Sequence, residues 1–145
     1  MTVEELLELP TIKGLKLISG NLGVHREIST VTVVDTPDGF QWLKGNEVVI
    51  TTTYALEKTP NAFLDFISKL LSRNISALIV KSDRYIKVIP ENAKKLCDEK
   101  ALPLIYCPAI YAFADIINPT LSGIISKQAE QLKESSKIHE SFLEL

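Results

Sequence analysis

The sequence has few cysteines and no surplus of positive charge, and each shortage excludes a class of function. Its 145 residues include two cysteines, Cys97 and Cys107, and no Cys-x-x-Cys motif. This predicts reduced thiols of a cytosolic protein rather than a disulfide framework or a zinc site. Lys and Arg number 16 against 18 Asp and Glu, for a formal net charge of -2. Because phosphate binding usually requires a basic surplus, DNA or RNA binding by this segment alone is disfavoured.

Long apolar runs and a targeting signal are also missing. The mean hydropathy is +0.13, slightly apolar. No stretch approaches the ~18 continuous apolar residues that a membrane-spanning helix requires. The first ten residues carry Glu4, Glu5 and Glu8 where a secretory signal would carry positive charge. We therefore expect a cytoplasmic protein that has no membrane partner.

Recognised catalytic and cofactor motifs are absent. The sequence contains no Gly-x-Gly-x-x-Gly or Walker loop and no Gly-x-Ser-x-Gly elbow. Its two histidines, His25 and His139, have no neighbour at metal-ligand spacing. A carboxylate pair can be drawn from Asp35 with Asp38 or Glu47, although turn formation is the more frequent role of such Asp residues. The sequence predicts no enzyme, metal or cofactor, with a small hydrolase or lyase fragment as one alternative.

Strand and helix patterns alternate through the first four-fifths of the chain. Apolar runs at 48–50 and 77–80 predict buried strands, and residues 102–106 predict a further strand that Pro103 interrupts. Helical spacing predicts one helix that begins at Thr59-Pro60 and another that begins at Pro90. This alternation is typical of βαβ units. We expect an α/β fold with a mainly parallel sheet and flanking helices.

The last part of the chain differs in kind and predicts a long carboxy-terminal helix. Apolar residues recur there at roughly helical intervals among mixed charges, so we divide the chain into a domain over 1–118 and a helical tail over 119–145. The tail is open to three interpretations: a coiled coil that makes a homodimer, a helix that folds back along the domain, or a linker to further sequence. No clean heptad is present. The candidate dimerisation residues are Leu121, Ile125, Leu132, Ile138 and Phe142.

Polar residues follow two of the predicted strands. Ligands of parallel sheets collect outside the carboxyl ends of the strands. Hydroxyls, amide donors and cations there suit a small polar or anionic metabolite. The simpler alternatives are that the threonines cap the backbone, that the cations are solvated, and that the tryptophan anchors the core or a lid. The candidate ligand-binding residues are Thr51, Thr52, Thr53, Lys81, Arg84, Asp35, Glu47 and Trp42.

One run of residues carries a family resemblance. Residues 42–52 read Trp-Leu-Lys-Gly-Asn-Glu-Val-Val-Ile-Thr-Thr. This is similar to the Trp-Leu-x-Gly-Gly-Glu-Leu-x-Leu-Thr-Thr-Gly run of the purine catabolism regulator (PucR-like) family of bacterial transcription factors. Weaker similarity extends over residues 1 to about 120, at 2–7, 14–17, 77–80, 102–104 and 113–117. Asn46 and Thr53 depart from the family pattern, which usually has Gly at both positions.

The resemblance implies a regulatory input domain of a cytoplasmic transcription regulator. In such proteins DNA is bound by a carboxy-terminal helix-turn-helix, and none can be assigned within these 145 residues. DNA is therefore expected as a partner only through a domain outside this chain. The leading hypothesis is a domain that senses a small metabolite, such as a product of purine breakdown. The alternative is a homodimerisation module without a ligand.

Overall fold

Five strands form one sheet in the order β1-β5-β4-β3-β2. The computed structural model describes residues 1–52, 61–82 and 89–143, with side chains up to residue 136. Strands β2 to β5 pair in parallel, and β1 pairs antiparallel with β5. This confirms the mainly parallel sheet. The strands are β1 (Lys16–Ser19), β2 (Thr30–Val33), β3 (Glu47–Thr51), β4 (Ala77–Ser82) and β5 (Leu104–Pro108).

Helices flank the sheet, as the sequence predicts. Thr2 and Glu5 form a capping box that starts the first helix. The predicted helix start at Thr59-Pro60 lies outside the described residues, and the described helix there has Asn61 at its N-cap. The α-helices of the described residues are α1 (Val3–Leu7), α2 (Ala62–Leu71), α3 (Glu91–Glu99) and α4 (Phe113–Leu143). Three 3-10 turns complete the described elements, at Pro10–Ile12, Asn21–Gly23 and Gly39–Trp42.

The core lies in two layers, one on each face of the sheet. On one face, α2 and α3 contribute buried side chains such as Phe66, Leu70 and Ala93. On the other face, α1, the Pro10–Ile12 turn and the first part of α4 pack against the strands. Side chains alternate between the two faces along each strand, so strands that are covered on both sides read as unbroken apolar runs. The α/β arrangement is thus confirmed.

Helix α4 begins six residues before the predicted tail, and its first part packs against the domain. Asp115 accepts a hydrogen bond from the backbone N–H of Ala112 (2.8 Å), which satisfies a donor at the helix start. The helix continues through Pro119, and both Ile116 and Ile124 are buried against the sheet. Every residue from 125 to 136 is exposed. The alternative in which the tail folds back along the domain is therefore wrong for these residues.

Within the described ranges, no helix combines the length and the apolar character that crossing a membrane would require.

Candidate functional site

The carboxylate of Asp35 joins the ends of two neighbouring strands. Asp35 follows β2, and its Oδ1 accepts hydrogen bonds from the backbone N–H (2.8 Å) and the hydroxyl (3.1 Å) of Thr52. The same oxygen accepts a bond from the hydroxyl of Thr51 (3.3 Å), which is 1% exposed. Parallel neighbours end at the same edge of a sheet, and the structure brings these three candidate residues together there. Their mutual hydrogen bonds fit the simpler interpretation, in which they fix the backbone.

Lys81 lies at the same edge but on the other face of the sheet. In the pairing of β3 with β4, Thr51 is opposite Val80, so the side chain of Lys81 points away from the face that Thr51 occupies. Its ammonium lies 5.2 Å from the centre of the Phe113 ring, a cation–π contact with the first residue of α4. The structure therefore separates the predicted cation from the hydroxyl of Thr51. Thr53 and Arg84 lie outside the described residues.

Glu47 lies at the opposite end of β3 from the threonines and holds a turn. Its two carboxylate oxygens accept hydrogen bonds from the backbone N–H groups of Lys44 (2.6 Å) and Gly45 (2.7 Å). Gly45 and Asn46 both have positive φ, at 113° and 65°. Asn tolerates the left-handed conformation, which explains how Asn46 replaces the usual glycine of the family. Glu47 is 6% exposed and is therefore a buried anchor of the segment before β3.

A cavity lies between edge strand β2 and the Gly39–Trp42 turn. Its volume is about 560 Å³. Trp42 borders it and is 81% exposed, so the interpretation of this residue as a core anchor is wrong. The sequence did not indicate Thr30 and Thr32, although they alternate with the buried Val31 and so share one face of β2. The polar walls and the indole come from Thr30, Thr32, Asp35, Trp42, Lys44 and Glu47.

The six candidate residues that the structure describes thus divide between two places. Asp35, Trp42 and Glu47 border the cavity, whereas Thr51, Thr52 and Lys81 lie at the carboxyl edge on two different faces. Asp35 belongs to both places, because it also bonds the threonines. The cavity is therefore the place where half of the described candidates, Asp35, Trp42 and Glu47, border an open space.

The described residues provide neither a cluster of metal ligands nor a reactive thiol. Among them, no three side chains of His, Cys, Asp or Glu are grouped so that they could hold a metal ion. Cys97 and Cys107 are both free and buried. Burial raises the pKa of Cys97 to about 12 and that of Cys107 to about 11. Since the thiolate is the reactive form, neither thiol is suited to nucleophilic or redox chemistry at neutral pH.

These features define a small α/β domain with a ligand-sized cavity at one sheet edge and a projecting helix. The model of the Purine catabolism regulatory protein-like family matches residues 5–124, and the chain belongs to that family. It is 31% identical over 142 residues to the Purine catabolism regulatory protein of Bacillus subtilis (strain 168). The match covers 98% of this chain and 27% of that relative, so the chain spans about a quarter of the length of the relative.

Proposed function

We propose that this chain is the input domain of a cytoplasmic transcription regulator of purine catabolism, and that it binds a small metabolite in the cavity beside β2. The family assignment and the name of the Bacillus subtilis relative support a regulatory role rather than an enzymatic one. DNA would be bound by a different part of a longer protein. The net charge of -2 agrees with that division of labour.

The observation that carries the metabolite proposal is the cavity with its exposed indole. A volume of about 560 Å³ falls in the range of roughly 300–1,000 Å³ that small-molecule sites occupy. Trp42 is 81% exposed. A planar ligand that stacks on its indole would therefore remove apolar surface of both the indole and the ligand from water.

The charges around the cavity favour an uncharged ligand with hydrogen-bond donors. Two carboxylates, Asp35 and Glu47, face one ammonium, Lys44, so an anion would meet net repulsion. Both oxygens of Glu47 already accept backbone hydrogen bonds. Within the described residues the hydrogen bonds to Asp35 all go to Oδ1, which leaves Oδ2 to accept a bond from a ligand. A planar, N–H-rich product of purine breakdown satisfies these conditions, and of the small polar or anionic metabolites that the strand-end pattern suggests, the cavity favours the uncharged ones.

The single tryptophan makes the proposal directly testable. Because Trp42 is the one Trp of the sequence, its fluorescence reports the cavity alone. We expect a purine base or a ureide, titrated from a panel, to change that fluorescence. A ligand present at ~100 times its Kd should also stabilise the domain by roughly 2.7 kcal/mol. If no compound of the panel produces either effect, metabolite sensing at this cavity is wrong.

Matched variants distinguish the cavity from the strand ends. Thr32→Val removes a hydroxyl from the cavity wall, and Thr52→Val removes one from the carboxyl edge. We expect Thr32→Val to weaken the response to ligand and Thr52→Val to preserve it. The opposite result, together with a loss of binding in Lys81→Gln, would place the ligand at the strand ends.

The projecting part of α4 supports a second function, self-association. Ile125 is 64% exposed and Leu132 is 72% exposed, and these two side chains lie seven residues apart, which is the repeat of a coiled-coil seam. The pairing of two copies would cover both. The proposed dimerisation residues remain Leu121, Ile125, Leu132, Ile138 and Phe142, of which the last two have side chains outside the described part.

A further inference from the structure

The charges of α4 are confined to one side of the helix over residues 125–136. At about 100° per residue, its four charged residues fall within an arc of about 120°. The uncharged residues other than Ser126 fall within a separate arc of about 160°. We call this second arc the charge-free face, and it consists of Ile125, Gln128, Ala129, Gln131, Leu132, Ser135 and Ser136.

Every residue of the charge-free face is exposed. Near the start of the exposed segment 125–136, the ammonium of Lys127 lies 3.9 Å from a carboxylate oxygen of Glu5 in α1. This is a surface contact with α1, and Ile124, which packs against the sheet, is the last buried residue before the exposed segment. Ile125 lies about 160° around the helix from Lys127 and is exposed. The domain thus leaves the charge-free face accessible to another helix.

We infer that the charge-free face of α4 binds the same face of a second copy, with the two helices parallel and in register. This rests on the proposed self-association and adds to it the face and the orientation. The absence of charge from this face removes repulsion between identical helices. The small side chains of Ala129 and Ser136 also permit a close approach of the two helices.

The spacing of the apolar residues favours the parallel orientation. Ile125, Gln128, Leu132 and Ser135 follow the 3-4-3 spacing of a two-helix seam. In a parallel, in-register pair each residue meets its own copy, so apolar contacts apolar and the two Gln amides hydrogen-bond each other. In an antiparallel pair with the same layers, Ile125 would meet Ser135 and Leu132 would meet Gln128. Each apolar side chain would then lie against a polar one, and an amide would lose its partner.

Disulfide trapping with two adjacent variants tests the face and the orientation. In Ser135→Cys the new thiols of a parallel pair face each other, whereas in the matched control Glu134→Cys they lie on the charged side. We expect Ser135→Cys to cross-link under mild oxidation at least ~10 times faster than Glu134→Cys. In the antiparallel pair the two Ser135 positions would be about 15 Å apart along the axis, which is too far for a disulfide. The buried native thiols contribute little background.

Sedimentation velocity separates the failure of this inference from the failure of self-association. We expect the unmodified chain to dimerise as its concentration approaches about 1 mM, and Leu132→Glu to remain monomeric. A dimer that persists in Leu132→Glu, with equal cross-linking of both cysteine variants, would overturn the face and orientation but leave self-association intact. A chain that stays monomeric throughout would overturn both. Neither outcome bears on the Trp42 titration.

Discussion

The turn before β3 depends on one buried carboxylate, and its removal gives a sharp test of the structure. Glu47 accepts the backbone N–H groups of Lys44 and Gly45 at 2.6 and 2.7 Å, and it is 6% exposed. Glu47→Ala removes both acceptors at once. Glu47→Gln keeps the shape and one acceptor oxygen, but it presents an amide donor to the other N–H.

The expected loss follows from the two hydrogen bonds. A hydrogen bond to a charged group contributes roughly 1.5–3 kcal/mol. Lys44 is exposed and Gly45 is partly exposed, so water can reach the released N–H groups and the lower figure applies. We therefore expect Glu47→Ala to lower the free energy of unfolding by about 3 kcal/mol and Glu47→Gln by about half of that. For a chain of this length the alanine variant should unfold about 9 °C lower.

Urea unfolding followed by circular dichroism measures these differences. Glu99→Ala is the matched control, because Glu99 is exposed near the end of α3 and should change stability by less than about 0.5 kcal/mol. A Glu47→Ala variant that unfolds together with the Glu99→Ala control would refute the idea that this carboxylate holds the turn. Equal losses of unfolding free energy in the alanine and glutamine variants would instead refute the assumption that the two hydrogen bonds contribute additively.

Three further outcomes follow from the described residues. The hydrogen bond from the backbone N–H of Thr2 lowers the pKa of Glu5. The stability that this carboxylate contributes should be present above its unfolded pKa and should be lost as the pH falls through its folded pKa. Glu5→Gln should therefore reduce the loss of unfolding free energy at acid pH. The pKa values of Cys97 and Cys107 are raised to about 12 and about 11; stability should therefore fall as pH rises above about 9, and a thiol reagent at pH 8 should label neither cysteine before the chain unfolds. Gly20 has a φ of 76°, and a Cβ there would lie 1.9 Å from a backbone oxygen; Gly20→Ala should thus destabilise the chain by several kcal/mol, on the order of 3 or more, in the same urea assay.

The sequence predicted the sheet well because the central strands are covered on both faces. Val48, Val49 and Ile50 are fully buried, and a short, continuous apolar run of this kind is typical of a strand in the middle of a parallel sheet. The left-handed turn at Asn46 was also predictable, because Asn is one of the few residues that tolerate positive φ. Local rules therefore determined much of the fold.

The site was harder to predict because proximity in sequence is not proximity in space. Glu47 and Thr51 belong to one candidate set, yet they mark opposite ends of the same strand, about 13 Å apart at 3.3 Å per residue. Lys81 follows a neighbouring strand, but the alternation of side chains places it on the other face. The exposure of Trp42 depends on how the Gly39–Trp42 turn packs, which no local pattern encodes.

The start of α4 shows a similar limit. Apolar residues recur at helical intervals among mixed charges from residue 119 onward, so the sequence predicted that the tail begins there. In the structure Pro119 lies within α4, which begins at Phe113 and is held against the sheet by Ile116 and Ile124. Tertiary packing here overrides the cost of a proline inside a helix, which is ~3 kcal/mol.

Edge strand β2 is the element through which the two proposed functions would communicate. Thr30 and Thr32 border the cavity on one face of β2, and Val31 packs on the other face in the same cluster as Ile116 and Ile124 of α4. A ligand shifts an equilibrium only through different affinity for two conformations. A ligand that holds β2 in one position would therefore favour one position of the first part of α4. It would thereby favour one arrangement of the paired helices. By reciprocity, helix pairing would change ligand affinity by the same factor.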